Sequence, residues 1–203
     1  MAAALDADAQ LMLRVKRGDL AAFEELVNKY KQPVMNLIYR TIQDATEAED
    51  LAQQTFVQVF KAAHRYRVTA RFSTWLFTIA RNLCLNEIRR RCRHPADSLD
   101  APRADNADEP LRQYEDVKIF SPPELLLQSE LAEKIQAALA ELPESQRTAI
   151  LLFREEELAY EDIAKVLNCS LSATKSLIHR GRETLKEKLK PYLRTGVWSE
   201  PKK

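Results

Sequence analysis

The chain has 203 residues, 31 Lys+Arg against 30 Asp+Glu for a net charge of +1, and 3 glycines. Phosphate-cradling loops and dinucleotide fingerprints cluster several glycines in one short segment, and the tight turns of β-sandwiches and barrels want Gly. Gly18, Gly181 and Gly196 are far apart. Both classes are disfavoured, and an all-α protein is expected. The hydrophobic fraction of 45% is enough to fill helical cores, and no segment approaches the roughly 18 consecutive apolar residues of a membrane span.

The N-terminal stretch Met1 to Leu13 carries Asp6 and Asp8 and lacks a basic region followed by an apolar run. No signal peptide is expected, and the localisation expected is cytoplasmic. Cys84, Cys92 and Cys169 are an odd, scattered set, so reduced thiols are expected. Cys84, Cys92 and His94 lie close together, but their spacing matches no zinc pattern. Neither a metal nor another cofactor is expected.

Asp19 is placed to cap a helix whose stripe is Phe23, Leu26, Val27 and Tyr30. Val34, Leu37 and Ile38 predict a second segment after Pro33. The next helix, 47–60, should bury Leu51, Val59 and Phe60. Asp50, Gln53, Gln54, Val57 and Lys61 form a second stripe on it at i, i+3, i+4, i+7, i+11. Such a stripe is either a solvated face or a protein contact surface, and spacing alone does not choose.

Tyr66, Arg67, Arg71, Phe72, Ser73 and Trp75 follow in one short segment. Basic residues interleaved with aromatics suit single-stranded nucleic acid, whose bases stack on rings while Arg follows phosphates. The competing reading makes Phe72 and Trp75 core anchors. Beyond them, Asn82, Asn86, Arg89, Arg90 and Arg93 fall at i, i+4, i+7, i+8, i+11 on one helical face. A stripe of amides and guanidiniums can hydrogen-bond bases and phosphates together.

Near-neutral net charge conceals segregation. Arg81 to Arg93 holds five arginines and one acid, and Lys175 to Arg194 holds seven bases and two acids. Between them, Pro95 to Glu124 holds eight acids, three bases and five of the nine prolines. Proline breaks helices and polar surroundings form no core, so residues 95–125 are expected to be a flexible acidic linker. It would join an N-terminal domain, 10–94, to a C-terminal domain, 126–194, with a tail at 195–203. Two basic stretches on separate domains suit a polyanion held at two points, or are simply solvated faces.

In the C-terminal half, Leu131, Ile135, Ala138, Leu139 and Leu142 recur at helical spacing, and Pro143 should end that helix. A helix with Ala149, Ile150, Leu152 and Phe153 follows. Ile163, Ala164 and Leu167 lie on one face of the next, and Asn168 tolerates the left-handed turn after it. Ser172 is placed to cap the last helix. Leu171 and Ile178 should face inward, leaving Ser172, Lys175, Ser176, His179, Arg180 and Arg182 outward. Such a helix–turn–helix lays its second helix in the DNA major groove. A plain helical pair is the alternative.

The residues Leu142-Pro143-Glu144-Ser145-Gln146-Arg147, Tyr160-Glu161-Asp162-Ile163-Ala164 and Thr174 through Arg182 resemble region 4 of bacterial RNA polymerase sigma factors. The stretch Glu49 through Phe56, followed by Phe72 through Arg91, is similar to sigma region 2. The group resembled is the sigma-70 family's two-domain extracytoplasmic-function (ECF) factors. The resemblance implies an all-α protein that binds core RNA polymerase, docking Asp50, Gln53, Gln54 and Val57 on the β′ clamp helices and region 4 on the β flap. It implies that the segment from Tyr66 to Ser73 captures a flipped base, that Asn82 through Arg91 reads the −10 promoter element, and that region 4 reads the −35 element. An anti-sigma factor is implied as a further partner, without membrane insertion of this chain. Gln54, Asn86, Leu177 and Gly181 depart from the family's usual Glu, Asp, Arg and Ala.

The main rival is a free-standing helix–turn–helix regulator that binds duplex DNA without polymerase. The sequence offers no convergent nucleophile–base set, so no catalytic residue is expected. Glu155, Glu156 and Glu157 read as a solvated turn.

Overall fold

The computed structural model describes residues 6–93, 122–154 and 156–195. The expected linker up to residue 121, His94 and the tail from 196 lie outside the described residues. The described residues are mostly helical, with no strand among them. The elements are α1 (Ala7–Val15), α2 (Leu20–Ile42), α3 (Ala45–Ala62), a 3-10 turn (Ala63–Arg65), α4 (Phe72–Arg93), α5 (Pro122–Ala140), α6 (Glu144–Arg154), α7 (Tyr160–Leu167) and α8 (Leu171–Thr195). The fold is all-α, as its composition requires.

Asp19 caps α2 by accepting from Ala22 N at 3.1 Å. Asp44 does the same for α3, accepting from Glu47 N at 3.0 Å. Gln43, left-handed at φ 59°, reverses the chain between them. Two expectations fail here. α2 does not break at Pro33, which sits inside one 23-residue helix. Leu26, Tyr30, Val34, Leu37 and Ile38 all bury on one face, and that continuous packing outweighs the hydrogen bond proline removes. α5 begins at Pro122, so residues 122–125 are helical; proline suits a helix start because the N–H it lacks has no partner there.

The core is one cluster running from α1–α4 into α6–α8, with Phe72, Phe77, Met12, Leu26, Ile38, Leu76, Leu152 and Ile163 fully buried. Two arginines hold the halves together. Arg81 on α4 grips Glu144 at the start of α6 with two hydrogen bonds, 2.9 and 3.1 Å, and reaches Val166 O on α7. Arg147 donates to Leu139 O, Ala140 O and Leu142 O, where α5 ends, and to Thr41 O at 2.8 Å, where α2 ends. Helix C-termini leave carbonyls unpaired, and one guanidinium serves two of them. Burial lowers its pKa from the usual arginine value.

Candidate nucleic-acid and polymerase interfaces

α4 presents the first surface. Its inward face carries Leu76, Phe77, Ala80 and Cys84, which leaves Asn82, Asn86, Arg89 and Arg90 exposed on the other side. Tertiary contacts differentiate the arginines. Glu87, only 6% exposed, accepts from Arg90 Nε at 2.7 Å, Arg90 Nη2 at 2.9 Å and Arg91 Nε at 2.7 Å. Arg91 also donates to Asp44, the cap of α3. Burial pushes the Glu87 carboxyl up, but the hydrogen bonds from Arg90 and Arg91 outweigh it and hold the group below the usual glutamate range. Arg89 makes only a 3.4 Å contact to Asn86 among the described bonds.

The segment before α4 corrects the expectation for Tyr66 and selects the core-anchor reading for Phe72. Tyr66 is 4% exposed and Phe72 fully buried, so neither lies on the surface. Their rings pack on Trp75 with centroids 4.9 and 6.0 Å away, and Tyr30 meets the edge of Phe72 at 5.4 Å. Burying these rings contributes more than leaving them as exposed platforms. Arg67, Val68, Thr69 and Arg71 are the exposed residues of this loop, while Ser73 and Trp75 are half-buried. Arg71, 3.9 Å from Asp162 of α7, lines a cavity of about 290 Å³ with Asp6, Asp8, Ser73 and Glu156.

α8 presents the second surface. Asn168 takes the left-handed turn, φ 52° and ψ 51°, between α7 and α8. Thr174, Ile178 and Gly181 face inward, and Ser172, Lys175, Ser176, His179, Arg180 and Arg182 are all exposed. Two local expectations are corrected. Ser170, not Ser172, caps the helix, accepting from Ala173 N at 3.1 Å, because the helix starts two residues earlier than the pattern suggests. Leu171 is 36% exposed rather than inward, since it lies in the first turn, beyond the packed face. Gly181 has a packing reason: a Cβ there would meet Ile150 Cδ1 at 2.5 Å.

α3 presents the third. Leu51, Thr55 and Val59 are buried beneath it, and Asp50, Gln53, Gln54 and Val57 are exposed. Phe60, expected in the core, is 46% exposed and packs its ring 5.1 Å from Phe23. With Val57 at 50% and Leu20 at 65%, it adds exposed apolar surface at the C-terminal end of the stripe. Helical spacing missed Phe60 because both faces of α3 carry apolar residues there. Among the described residues, no group of His, Cys, Asp and Glu is arranged to hold a metal ion. No helix there is long and apolar enough to cross a membrane.

An all-α chain with an amide–guanidinium stripe on one helix and a basic helix–turn–helix beyond it has the architecture of a two-headed DNA reader. The Sigma-70 region 2 family matches residues 26–94, and the Sigma-70, region 4 family matches residues 132–185. The RNA polymerase sigma-H factor of Pseudomonas aeruginosa is 39% identical over 92% of this chain and 96% of its own length. The ECF RNA polymerase sigma factor SigW of Bacillus subtilis is 35% identical over 87% and 94%. The sigma factor RpoE of Bartonella quintana, solved with the anti-sigma factor NepR, superposes at a TM-score of 0.65, 26% identical, over 83% of this chain and 96% of that one. CnrH, solved with the cytosolic domain of CnrY, shares the fold at 0.67 and 22% identity, over 92% and 99%.

The chain belongs to the sigma-70 family, in its extracytoplasmic-function group. As a sigma factor it binds core RNA polymerase and directs promoter recognition and transcription initiation.

Proposed function

We propose a division of labour among the three surfaces. Asp50, Gln53, Gln54 and Val57 on α3, with Phe60 beside them, dock on the β′ clamp helices of core polymerase. Asn82, Asn86, Arg89 and Arg90 on α4 read the −10 element, and Arg67, Thr69 and Arg71 rim the site that takes an extruded base. Ser172, Lys175, Ser176, His179, Arg180 and Arg182 on α8 read the −35 duplex, while region 4 meets the β flap. Supporting an extruded base offsets an unpairing and unstacking cost of a few kcal/mol. Joining two modest DNA affinities by a tether raises the effective concentration of the second contact.

The observation that carries this reading is the exposed amide–guanidinium stripe of α4, placed on a different helix from the exposed polar stripe of α3. Polymerase binding and base reading should therefore separate by mutation. In reconstituted transcription with core enzyme, Asn82→Ala should weaken open-complex formation far more than polymerase affinity. Equal losses in both would end this assignment. Duplex binding as tight without core enzyme as with it would favour a free-standing regulator instead.

One further partner follows from a relative. RpoE of Bartonella quintana was solved with the anti-sigma factor NepR, and we infer that this chain too is held by an anti-sigma factor. Its place of action is the cytoplasm, with the polymerase and the chromosome.

A further inference from the structure

The helix α1 precedes the region 2 match, which begins at residue 26, and Asp8 on it lines the cavity beside Arg71. The helix is firmly seated. Ala9 and Met12 are fully buried, and Asp8 is 6% exposed. The Asp8 carboxylate takes Lys29 Nζ at 2.6 and 2.7 Å and Tyr30 OH at 2.6 Å. This bolts α1 to the middle of α2.

The residues flanking α1 reach the two ends of the loop between the 3-10 turn and α4. At one end, Lys16 Nζ donates to Tyr66 O at 2.9 Å, across 50 positions of sequence. At the other, Phe72 N donates to Asp6 Oδ2 at 3.2 Å, across 66 positions. Phe72 is the first residue of α4. Its N–H belongs to the turn that has no partner within a helix, and a carboxylate is favoured there by the helix dipole as well. Inside the loop, Thr69 N donates to Arg67 O at 2.9 Å, and the aromatic rings of Tyr66, Phe72 and Trp75 form its floor. The exposed rim, Arg67 to Thr69, is thus carried on a backbone whose two ends are set from α1. A loop ordered in advance does not lose that conformational freedom when it meets its ligand.

We propose that Asp6 and Lys16 are positioning residues for promoter melting. α1 acts as a strut that spaces the ends of the 66–72 loop so that its rim accepts an extruded base. This rests on the reading of that loop as the base-capturing element. The residues hold the loop backbone, so their effect is on melting and on base discrimination, not on docking to polymerase.

The experiment uses full-length protein assembled with core polymerase and a promoter found by start-site mapping after overexpression, carrying 2-aminopurine in its −10 strand. The variants are Asp6→Ala/Lys16→Met, the conservative Lys16→Arg, and the loop-rim pair Arg67→Ala/Thr69→Ala. For Asp6→Ala/Lys16→Met we expect core affinity within about two-fold of wild type. We expect melting about ten-fold slower, the size set by losing two partly exposed hydrogen bonds, with weaker discrimination among bases at one −10 position. Lys16→Arg should retain wild-type behaviour. If the loop-rim pair loses melting and discrimination while Asp6→Ala/Lys16→Met keeps both, the strut is wrong and the loop reading stands. If the loop-rim pair loses neither, the loop reading fails and the strut with it. Loss of core affinity in step with melting would reduce α1 to general scaffold and overturn the positioning role.

Discussion

Removing the Arg81–Glu144 pair should loosen the two halves of the chain by an amount the geometry sets. The pair is two-pronged at 2.9 and 3.1 Å, and its side chains are 13% and 22% exposed. Exposed pairs contribute about 0–1 kcal/mol, while breaking a buried pair by removing one partner costs about 3–5 kcal/mol. A pair at this depth should lie between, with a coupling of about 2 kcal/mol. Neither remaining group is stranded: Glu144 keeps the Thr148 hydroxyl at 3.1 Å, and Arg81 keeps Val166 O at 3.4 Å. The assay is a double-mutant cycle of Arg81→Met and Glu144→Gln by urea denaturation. Cys84 gives a second readout beside the pair. It is 1% exposed, and burial, then the Glu144 charge, pushes its thiol up to about 12. Thiol labelling of Cys84 should be slow in the wild type and quicken in both single variants, while exposed Cys92 reacts throughout. A coupling below about 0.5 kcal/mol, with unchanged Cys84 labelling, would show that the pair does not hold the halves together.

Arg147→Met should destabilise the chain by about 3 kcal/mol or more, since several buried carbonyls lose a charged donor at once; a loss under about 1 kcal/mol in thermal or urea unfolding would contradict this. Gly181→Ala should destabilise by about 1 kcal/mol, overpacking against Ile150 outweighing the helix propensity gained. In an Ile150→Val background the same change should stabilise, and a Gly181→Ala variant more stable than wild type by itself would refute the packing argument. Glu87 has a depressed pKa in the folded chain, so its contribution is complete above the ordinary value of 4.5 and fades as pH falls through the lower folded value. The stability gap between wild type and Glu87→Gln should therefore be flat at neutral pH and close in acid; a gap that widens in acid would mean the sign is wrong.

From α2 onward the helices and their order were legible in the residues alone, apart from the break expected at Pro33; α1 was not. Asp19 and Asn168 announce a cap and a left-handed turn, and Ile163, Ala164 and Leu167 announce a packed face. These are local matters of spacing and backbone preference. The residues of the α4 and α8 stripes were legible for the same reason, because a helix that buries one face must expose the other. Pro33, Phe60, Tyr66, Leu171 and Ser172 were misjudged, and Phe72 was left between core and platform, since their environment depends on what lies across from them.

Composition and spacing set the all-α class, the segregated charge and the outward residues of α4 and α8. Packing across elements was needed to show that Tyr66 and Phe72 are floor rather than platform, and that Glu87 pairs with Arg90 and Arg91 and not with Arg89. It alone showed that Gly181 admits α6, and that Lys16 and Asp6 hold a loop 50 and 66 positions away. The division has a physical cause. Periodicity encodes which side of a helix is wet, whereas partners brought together by packing leave no periodic trace in the chain.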